Sequence, residues 1–332
     1  MKKISVVIPN WNGKKTIARC LDSLCDQSIT SQIIVVENGS TDGSLEFIRK
    51  NYPDVKLIIH QKNLGFAAGV NAGIRQAIDS NFDFVALLNN DAVADKNWLQ
   101  NLMKVIEQDN KIGIVTCKFI DINAKYLDST GDQYTTWGLP YPRGREEPVS
   151  DKYDNQTGVF AASGGASLYR ISILRQIGLF DEDFFAYYED VDISFRAQLA
   201  GWKVIYAPRA IAYHQIGATA SKIKGFTTYQ TIKNLPMLLW KNVPVGLLAT
   251  VVPRFYLAYF SFIFSALARG QIWPAFKGLF ATIVLAPKTI IKRFRIQRSK
   301  KVSTQYIRSM MTAGLPPNAI KLKKLRALFL GH

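Results

Sequence analysis

The stretch Ile4-Ser5-Val6-Val7-Ile8-Pro9-Asn10-Trp11-Asn12-Gly13 decides the fold. Its apolar run is shorter than the about 7–15 residues of a secretory leader and breaks at Pro9 into a polar loop, so it reads as a buried first strand. The same pattern recurs downstream. Residues 16–27 put Ile17, Leu21 and Leu24 on one helical face, 32–37 form a second apolar run, and 44–52 bring Leu45, Ile48 and Tyr52 into phase. A third run at 55–60, a helical segment at 67–80 and a fourth run at 84–88 follow. Strands alternating with helices of this length predict βαβ units and a mostly parallel, Rossmann-like central sheet of the α/β class.

Ligands of such sheets bind at the carboxyl ends of the strands. The four loops there are Pro9-Asn10-Trp11-Asn12-Gly13, Glu37-Asn38-Gly39-Ser40-Thr41-Asp42-Gly43-Ser44, Asn63-Leu64-Gly65-Phe66 and Asn89-Asn90-Asp91. Asn, Gly and Asp form turns, which accounts for any one of these loops but not for four along one edge. Neither GxGxxG nor GxxxxGK[ST] occurs, so dinucleotide and Walker-type phosphate sites lose their basis. A nucleotide here would be held by loop backbone and a metal.

Composition narrows the class further. The chain has 332 residues, 48% hydrophobic and 20% charged, which excludes a disordered or collagenous protein. Three cysteines, none in a CxxC pair, give neither a disulfide framework nor a zinc site. Residues 1–192 hold 20 Lys and Arg against all 25 Asp and Glu, whereas 193–332 hold 22 Lys and Arg and no acidic residue. Two regions with different partners follow, and the second faces something anionic.

Taken in order, these loops, together with Tyr188-Glu189-Asp190-Val191-Asp192 and Arg196, resemble glycosyltransferase family 2 over roughly residues 4–220, most closely its rhamnosyltransferase-type branch. The resemblance implies the GT-A fold, a nucleoside-diphosphate sugar donor and inversion at the anomeric carbon. It implies Asp190 as catalytic base, and a third metal ligand at His214, which otherwise reads as a satisfied structural histidine. The processive synthases of that family carry Gln-x-x-Arg-Trp after the acidic motif. This chain lacks it, which implies transfer of a single sugar.

The chemistry of the residues runs the same way. Glu37 at a strand end can accept the N3–H of a uracil or thymine ring, or it is a surface carboxylate near a helix N-terminus. Asp91 is the expected ligand of a divalent cation, Mg2+ or Mn2+, which offsets pyrophosphate charge, or it ends an Asx turn. Pro9, Asn10, Asn63, Gly65, Asn89, Asn90 and Gly165 complete the expected donor site, Gly165 because a small residue admits close backbone approach. Glu189, Asp192 and Arg196 are expected around the acceptor or as support, with Asp192 and Arg196 spaced for an i,i+4 ion pair. The six carboxylates in 181–192 repel one another unless cations or function sustain them. The segment 120–158, with Tyr126, Tyr134, Trp137, Tyr141 and Arg143, is expected to face the acceptor.

A glycosyltransferase domain over 1–225 and a basic, apolar helical region over 226–332 are therefore expected. In the latter, Pro244 and Pro253 read as breakers. Arg254 is the only charge in 243–268, and 255–268 is too short for the about 20 residues of a span. Interfacial or re-entrant helices fit, with a transmembrane segment within 243–287 kept as the alternative. Lys288, Lys292, Arg293, Arg295, Arg298, Lys300 and Lys301 form one cationic cluster, and Lys321, Lys323, Lys324 and Arg326 a second beside Leu322, Leu325, Leu328 and Phe329. Basic clusters interleaved with apolar residues point to an anionic membrane surface on the cytoplasmic face, not to nucleic acid. The expected acceptor is a lipid-linked glycan. A polyprenyl-phosphate glycosyltransferase and a non-catalytic nucleotide-binding scaffold stay as alternatives.

Overall fold

Ile4–Asn10 (β1) sends Val6 and Ile8 into one core and Val7 into another, so both faces of this strand are covered. Ile17–Cys25 (α1), Gln32–Asn38 (β2), Ser44–Asn51 (α2), Lys56–His60 (β3), Gly65–Asp79 (α3) and Phe84–Leu88 (β4) alternate as the periodicity requires. β3, β2, β1 and β4 lie side by side and run parallel. The computed structural model describes residues 2–215, 223–317 and 319. The second cationic cluster, 321–326, lies outside them.

Ala92–Ala94 (β5), Trp98–Ile106 (α4), Ile112–Asp121 (β6), Leu127–Ser129 (β7), Asp132–Tyr134 (β8), Pro140–Pro142 (β9) and Thr157–Gly158 (β10) come next. Ala166–Arg170 (β11), Ile171–Ile177 (α5), Glu189–Leu199 (α6) and Lys203–His214 (β12) follow. The sheet order is β10-β12-β6-β11-β4-β1-β2-β3, with β11 antiparallel between β4 and β6 and β12 parallel to β6. β12 outruns the strand expected at 203–206. It passes Pro208 through a register shift between Ala207 and Ile211 and pairs onward to His214. A bulge is where a strand tolerates a residue without N–H, which is why the proline does not end it. β5 pairs antiparallel with its far end, His214 opposite Ala92, and so sets His214 beside Asp91.

Of the described residues, 2–132 and 142–215 form one compact unit, and 133–141 with 223–317 a second. A contiguous division at 225/226 leaves out 133–141. That segment joins the second unit because Thr135 pairs with Thr312, and Gly138 fits against Leu239, Val251 and Phe255, where a Cβ would meet side-chain atoms at 2.9–3.2 Å.

The second unit holds Phe226–Asn242 (α7), Val245–Ala268 (α8), Ile272–Arg298 (α9) and Thr304–Met310 (α10). The expected break at Pro253 does not occur, since α8 runs through it. α8 and α9 are each long and apolar enough to cross a membrane, and only 33% and 17% of their most apolar windows are buried. Phe260, Phe264, Trp273, Phe276, Ile283 and Phe294 are exposed on them. Arg293 leaves the expected cationic cluster. It is buried and donates to the carbonyls of Trp240 and Val243 at 2.6 and 2.8 Å, satisfying orphan acceptors at the end of α7.

Candidate active site

The loops at the carboxyl edge of the sheet are stitched together by their own asparagines. Asn10 Nδ2 donates to Glu37 Oε2 at 2.6 Å and to Ser44 Oγ at 3.0 Å, and its Oδ1 accepts from Asn90 Nδ2 at 2.7 Å. Asn38 Nδ2 donates to Asn63 Oδ1 and to the Gly65 carbonyl, while its Oδ1 accepts the Leu64 N–H. Asn89 N–H donates to the Gly165 carbonyl at 2.9 Å. Glu37 is buried, and its two oxygens accept from Ser40 N–H, Asn10 and Ser44. It organises the loop here, and a base N3–H would use a remaining lone pair. Pro9, the second-last residue of β1, pairs opposite Val36 and lies beside Gly69.

Two of the expected glycines are fixed by contact. A Cβ on Gly165 would meet Phe119 at 2.8 Å and Asn89 Nδ2 at 3.1 Å. Gly65 has φ +88°, and a Cβ there would lie 2.6 Å from the Phe185 carbonyl oxygen, which already accepts the Ala67 N–H. Gly65→Ala thus meets both a left-handed backbone and a clash with main chain. It is expected to cost about 2 kcal/mol or more of stability, read as a lowered thermal midpoint by calorimetry; an unchanged midpoint would contradict this account.

The segment held by Gly65 leads into the acidic motif. Phe185, Tyr187 and Tyr188 all have positive φ, at 64°, 69° and 71°, immediately before α6. Three non-glycine residues in sparsely populated backbone conformations mark stored strain of the kind that clusters at functional sites. Asp190 then lies in the first turn of α6, half-buried, accepting the Gly164 N–H at 2.9 Å and the Val191 N–H at 2.8 Å. Burial raises its pKa, and those two backbone donors only partly oppose the shift. Asp132, which the sequence did not single out, is buried nearby, and desolvation followed by the Asp190 charge pushes its carboxyl up.

Asp192 and Arg196 do not face an acceptor. Asp192 is fully buried and takes Arg196 Nε at 2.9 Å, while Arg196 also donates to the carbonyls of Ile177, Gly178 and Leu179. The pair anchors the loop before the acidic motif. Glu189 is buried as well. Arg75 pairs with Glu182 and Arg196 with Asp192, so cations offset part of the acidic run. In the expected acceptor segment, Arg143 lies over the rings of Tyr153 and Tyr206 and donates to the Thr130 carbonyl, which makes it internal. Tyr134 is buried, whereas Tyr126 is half exposed.

Asp91 and His214 meet. Asp91 is buried, its Oδ1 has no aligned hydrogen-bond donor, and that oxygen lies 3.2 Å from His214 Nε2. His214 Nδ1 lies 2.8 Å from Asp128 Oδ2, and its ring stacks on Phe119 at 4.6 Å. Desolvation would lower the imidazole pKa, but the Asp128 and Asp91 carboxylates, which favour its charged form, outweigh it and push it up to about 9. Asp128 stays below the usual carboxylate range despite its burial, because His214 and Arg145 hold its ionised form.

An unpartnered carboxylate oxygen facing an imidazole nitrogen suits two ligands of one divalent cation. The carboxylate behind the histidine supplies the outer-shell partner such ligands usually have. Among the described residues no group of three His, Cys, Asp or Glu side chains is arranged to hold a metal ion by itself. The donor set therefore fits a cation completed by substrate phosphates and water rather than a closed protein site. Asp128→Asn should weaken Mn2+ binding in the presence of nucleoside diphosphate about 10–100-fold, measured by the free-ion EPR signal, and leave metal-free nucleotide binding unchanged.

A central sheet with a parallel core and β11 inserted antiparallel between β4 and β6, carrying an acidic constellation at its carboxyl edge, defines a glycosyltransferase of the GT-A fold. The chain belongs to the family described as glycosyltransferase like family 2, which matches residues 2–234. It is 28% identical over 204 residues to the N-acetylglucosaminyl-diphospho-decaprenol L-rhamnosyltransferase of Mycobacterium tuberculosis, covering 55% of this chain and 66% of that protein. With the poly-beta-1,6-N-acetyl-D-glucosamine synthase of Staphylococcus epidermidis it shares 24% identity over 225 residues, 65% of this chain and 50% of the synthase. The chain thus spans between half and two thirds of these relatives. Among solved structures, GalNAc-T7 with UDP, GalNAc and Mn2+ superposes at a TM-score of 0.57 and 17% identity, over 73% of this chain and 48% of that one. That likeness is one of fold.

Proposed function

We propose that the chain is an inverting transferase that moves a single sugar from dTDP-rhamnose or a UDP-sugar to a lipid-linked glycan during assembly of a bacterial surface polysaccharide. The observation that carries this is the Asp91–His214 pair set on the same sheet edge as Asp190, in a chain of this family. The mycobacterial relative supports the choice of donor and acceptor. The absence of Gln-x-x-Arg-Trp supports single transfer.

In this reading Asp91 and His214 hold a divalent cation. When bound, the cation offsets the negative charge that develops on the departing nucleoside diphosphate. Asp190 takes the proton from an acceptor hydroxyl as that oxygen bonds to the anomeric carbon and the carbon–oxygen bond to the diphosphate breaks, which inverts the centre. The Gly164 and Val191 N–H groups aim the carboxylate. Asn10, Glu37, Asn38, Asn63 and Asn90 keep the loops in the shape that receives the nucleotide.

The exposed apolar flanks of α8 and α9, with Arg295, Arg298, Lys300 and Lys301 beyond them, support membrane association on the cytoplasmic face. The full chain is expected to float with vesicles containing anionic lipid. Recovery in the soluble fraction, with and without such vesicles, would overturn this half. The test of the chemistry supplies dTDP-rhamnose or UDP-N-acetylglucosamine with either N-acetylglucosaminyl-diphospho-lipid or polyprenyl phosphate. Sugar on the first acceptor is expected; product only on polyprenyl phosphate would replace the acceptor assignment.

A further inference from the structure

We infer that the cleft over β7 is a carbohydrate subsite that seats a pyranose of the acceptor. It has a volume of about 340 Å3 and is lined by Asp121, Tyr126, Leu127, Asp128, Arg145 and Glu146. That volume sits at the small end of ligand pockets, room for a sugar ring or two and not for a polymer. The inference rests on the glycosyl-transfer reading and assigns its second substrate a place.

Charge selects the ligand class. Three carboxylates and one guanidinium line the cleft, so a nucleoside diphosphate is disfavoured there and a neutral polyol is not. Each polar group has a defined state. Asp121 spends its oxygens on the N–H groups of Asn123, Lys125 and Tyr126, which fixes the turn that presents Tyr126. Tyr126 is 50% exposed and offers a ring for the apolar face of a sugar. Arg145 is pinned by two bonds to Asp128, Nε to the carbonyl at 3.1 Å and Nη2 to Oδ1 at 2.6 Å. Its other donors are left for hydroxyls. Glu146 is exposed and held at φ +65° with its N–H on the Leu127 carbonyl, an acceptor fixed on the rim by strained backbone.

The cleft also connects to the chemistry from two sides. Asp128 is at once its floor and the partner of His214, which faces Asp91. The Arg145 charge favours the ionised forms of Asp190 and Asp132. A sugar held by Tyr126, Arg145 and Glu146 would therefore sit beside the carboxylate that backs the His214–Asp91 pair.

The test is saturation-transfer NMR of the full chain, with UDP or dTDP and Mn2+, against millimolar methyl glycosides of N-acetylglucosamine, glucose, galactose and rhamnose. At least one glycoside should bind the wild type. Binding should weaken about tenfold in Tyr126→Ala, recover in Tyr126→Phe and weaken in Glu146→Gln. Nucleotide affinity by calorimetry should be unchanged in all three. No glycoside bound by wild type, binding untouched by Tyr126→Ala and Glu146→Gln, or nucleotide binding lost alongside, would each overturn the subsite. Glycoside binding that follows this pattern in a chain that takes neither nucleotide would support the subsite and overturn the donor reading.

Discussion

Asp190→Asn is expected to lower kcat about 10²–10⁴-fold, the usual worth of a positioned general base, while calorimetric affinity for UDP or dTDP stays at the wild-type value. The substitution keeps the size of the side chain and one oxygen; Gly164 N–H and Val191 N–H bond different oxygens of Asp190, so one of them retains its acceptor and the other meets the new amide. What is lost is the lone pair that takes the proton. The pH dependence separates this from a structural effect. Burial raises the Asp190 pKa in the folded protein. A base must be ionised to act, so kcat/KM of the wild type should fall as pH drops through that raised value, above the range near 4 where ordinary aspartates titrate. The residual activity of Asp190→Asn should lack this acid limb. An unaltered limb in the variant, or a kcat within about threefold of wild type, would move the base to another group.

The parts of this arrangement legible in the sequence are those written locally. Alternating apolar runs and helical faces placed β1 to β4 and α1 to α3 within a residue or two, since both periods fall within one element. The Asp192–Arg196 pair was readable as an i,i+4 spacing, and the structure adds why it cannot serve an acceptor: both side chains are buried in the α6 anchor. The reach of β12 was not readable, because Pro208 signals a strand end unless a bulge absorbs it, and the bulge is set by pairing with β6. Asp128 carried no motif either. It sits in a three-residue strand, and its partner His214 is 86 positions away, so only the closed sheet brings the two within hydrogen-bond distance. The asparagines were legible as an unusual set and misleading as to use, for much of their hydrogen bonding goes to one another.

Asp91→Asn should remove the metal-dependent part of nucleotide affinity and cost activity at least as much as loss of an outer-shell partner does, about 100-fold or more. The carboxylate is the one full negative charge facing His214 Nε2 from the strand end, and its Oδ1 is buried with no aligned donor. A buried unpaired oxygen is costly unless something completes it, and here the imidazolium at 3.2 Å does so partly in the absence of metal. Cation binding therefore competes with a proton on His214, whose pKa is pushed up to about 9. Mn2+ affinity should rise as pH increases toward that value and level off above it, because the ligand form is neutral imidazole. The Asn variant withdraws the charge from both occupants at once. Its His214 pKa should fall, since one of the two carboxylates that raise it is gone, and calorimetry against UDP or dTDP should give the same weak affinity with Mn2+ as without. Should the variant still gain affinity on adding Mn2+ to the extent that wild type does, Asp91 would not be a ligand, and the Asp91–His214 contact would be an ordinary ion pair that fastens β5 to β12.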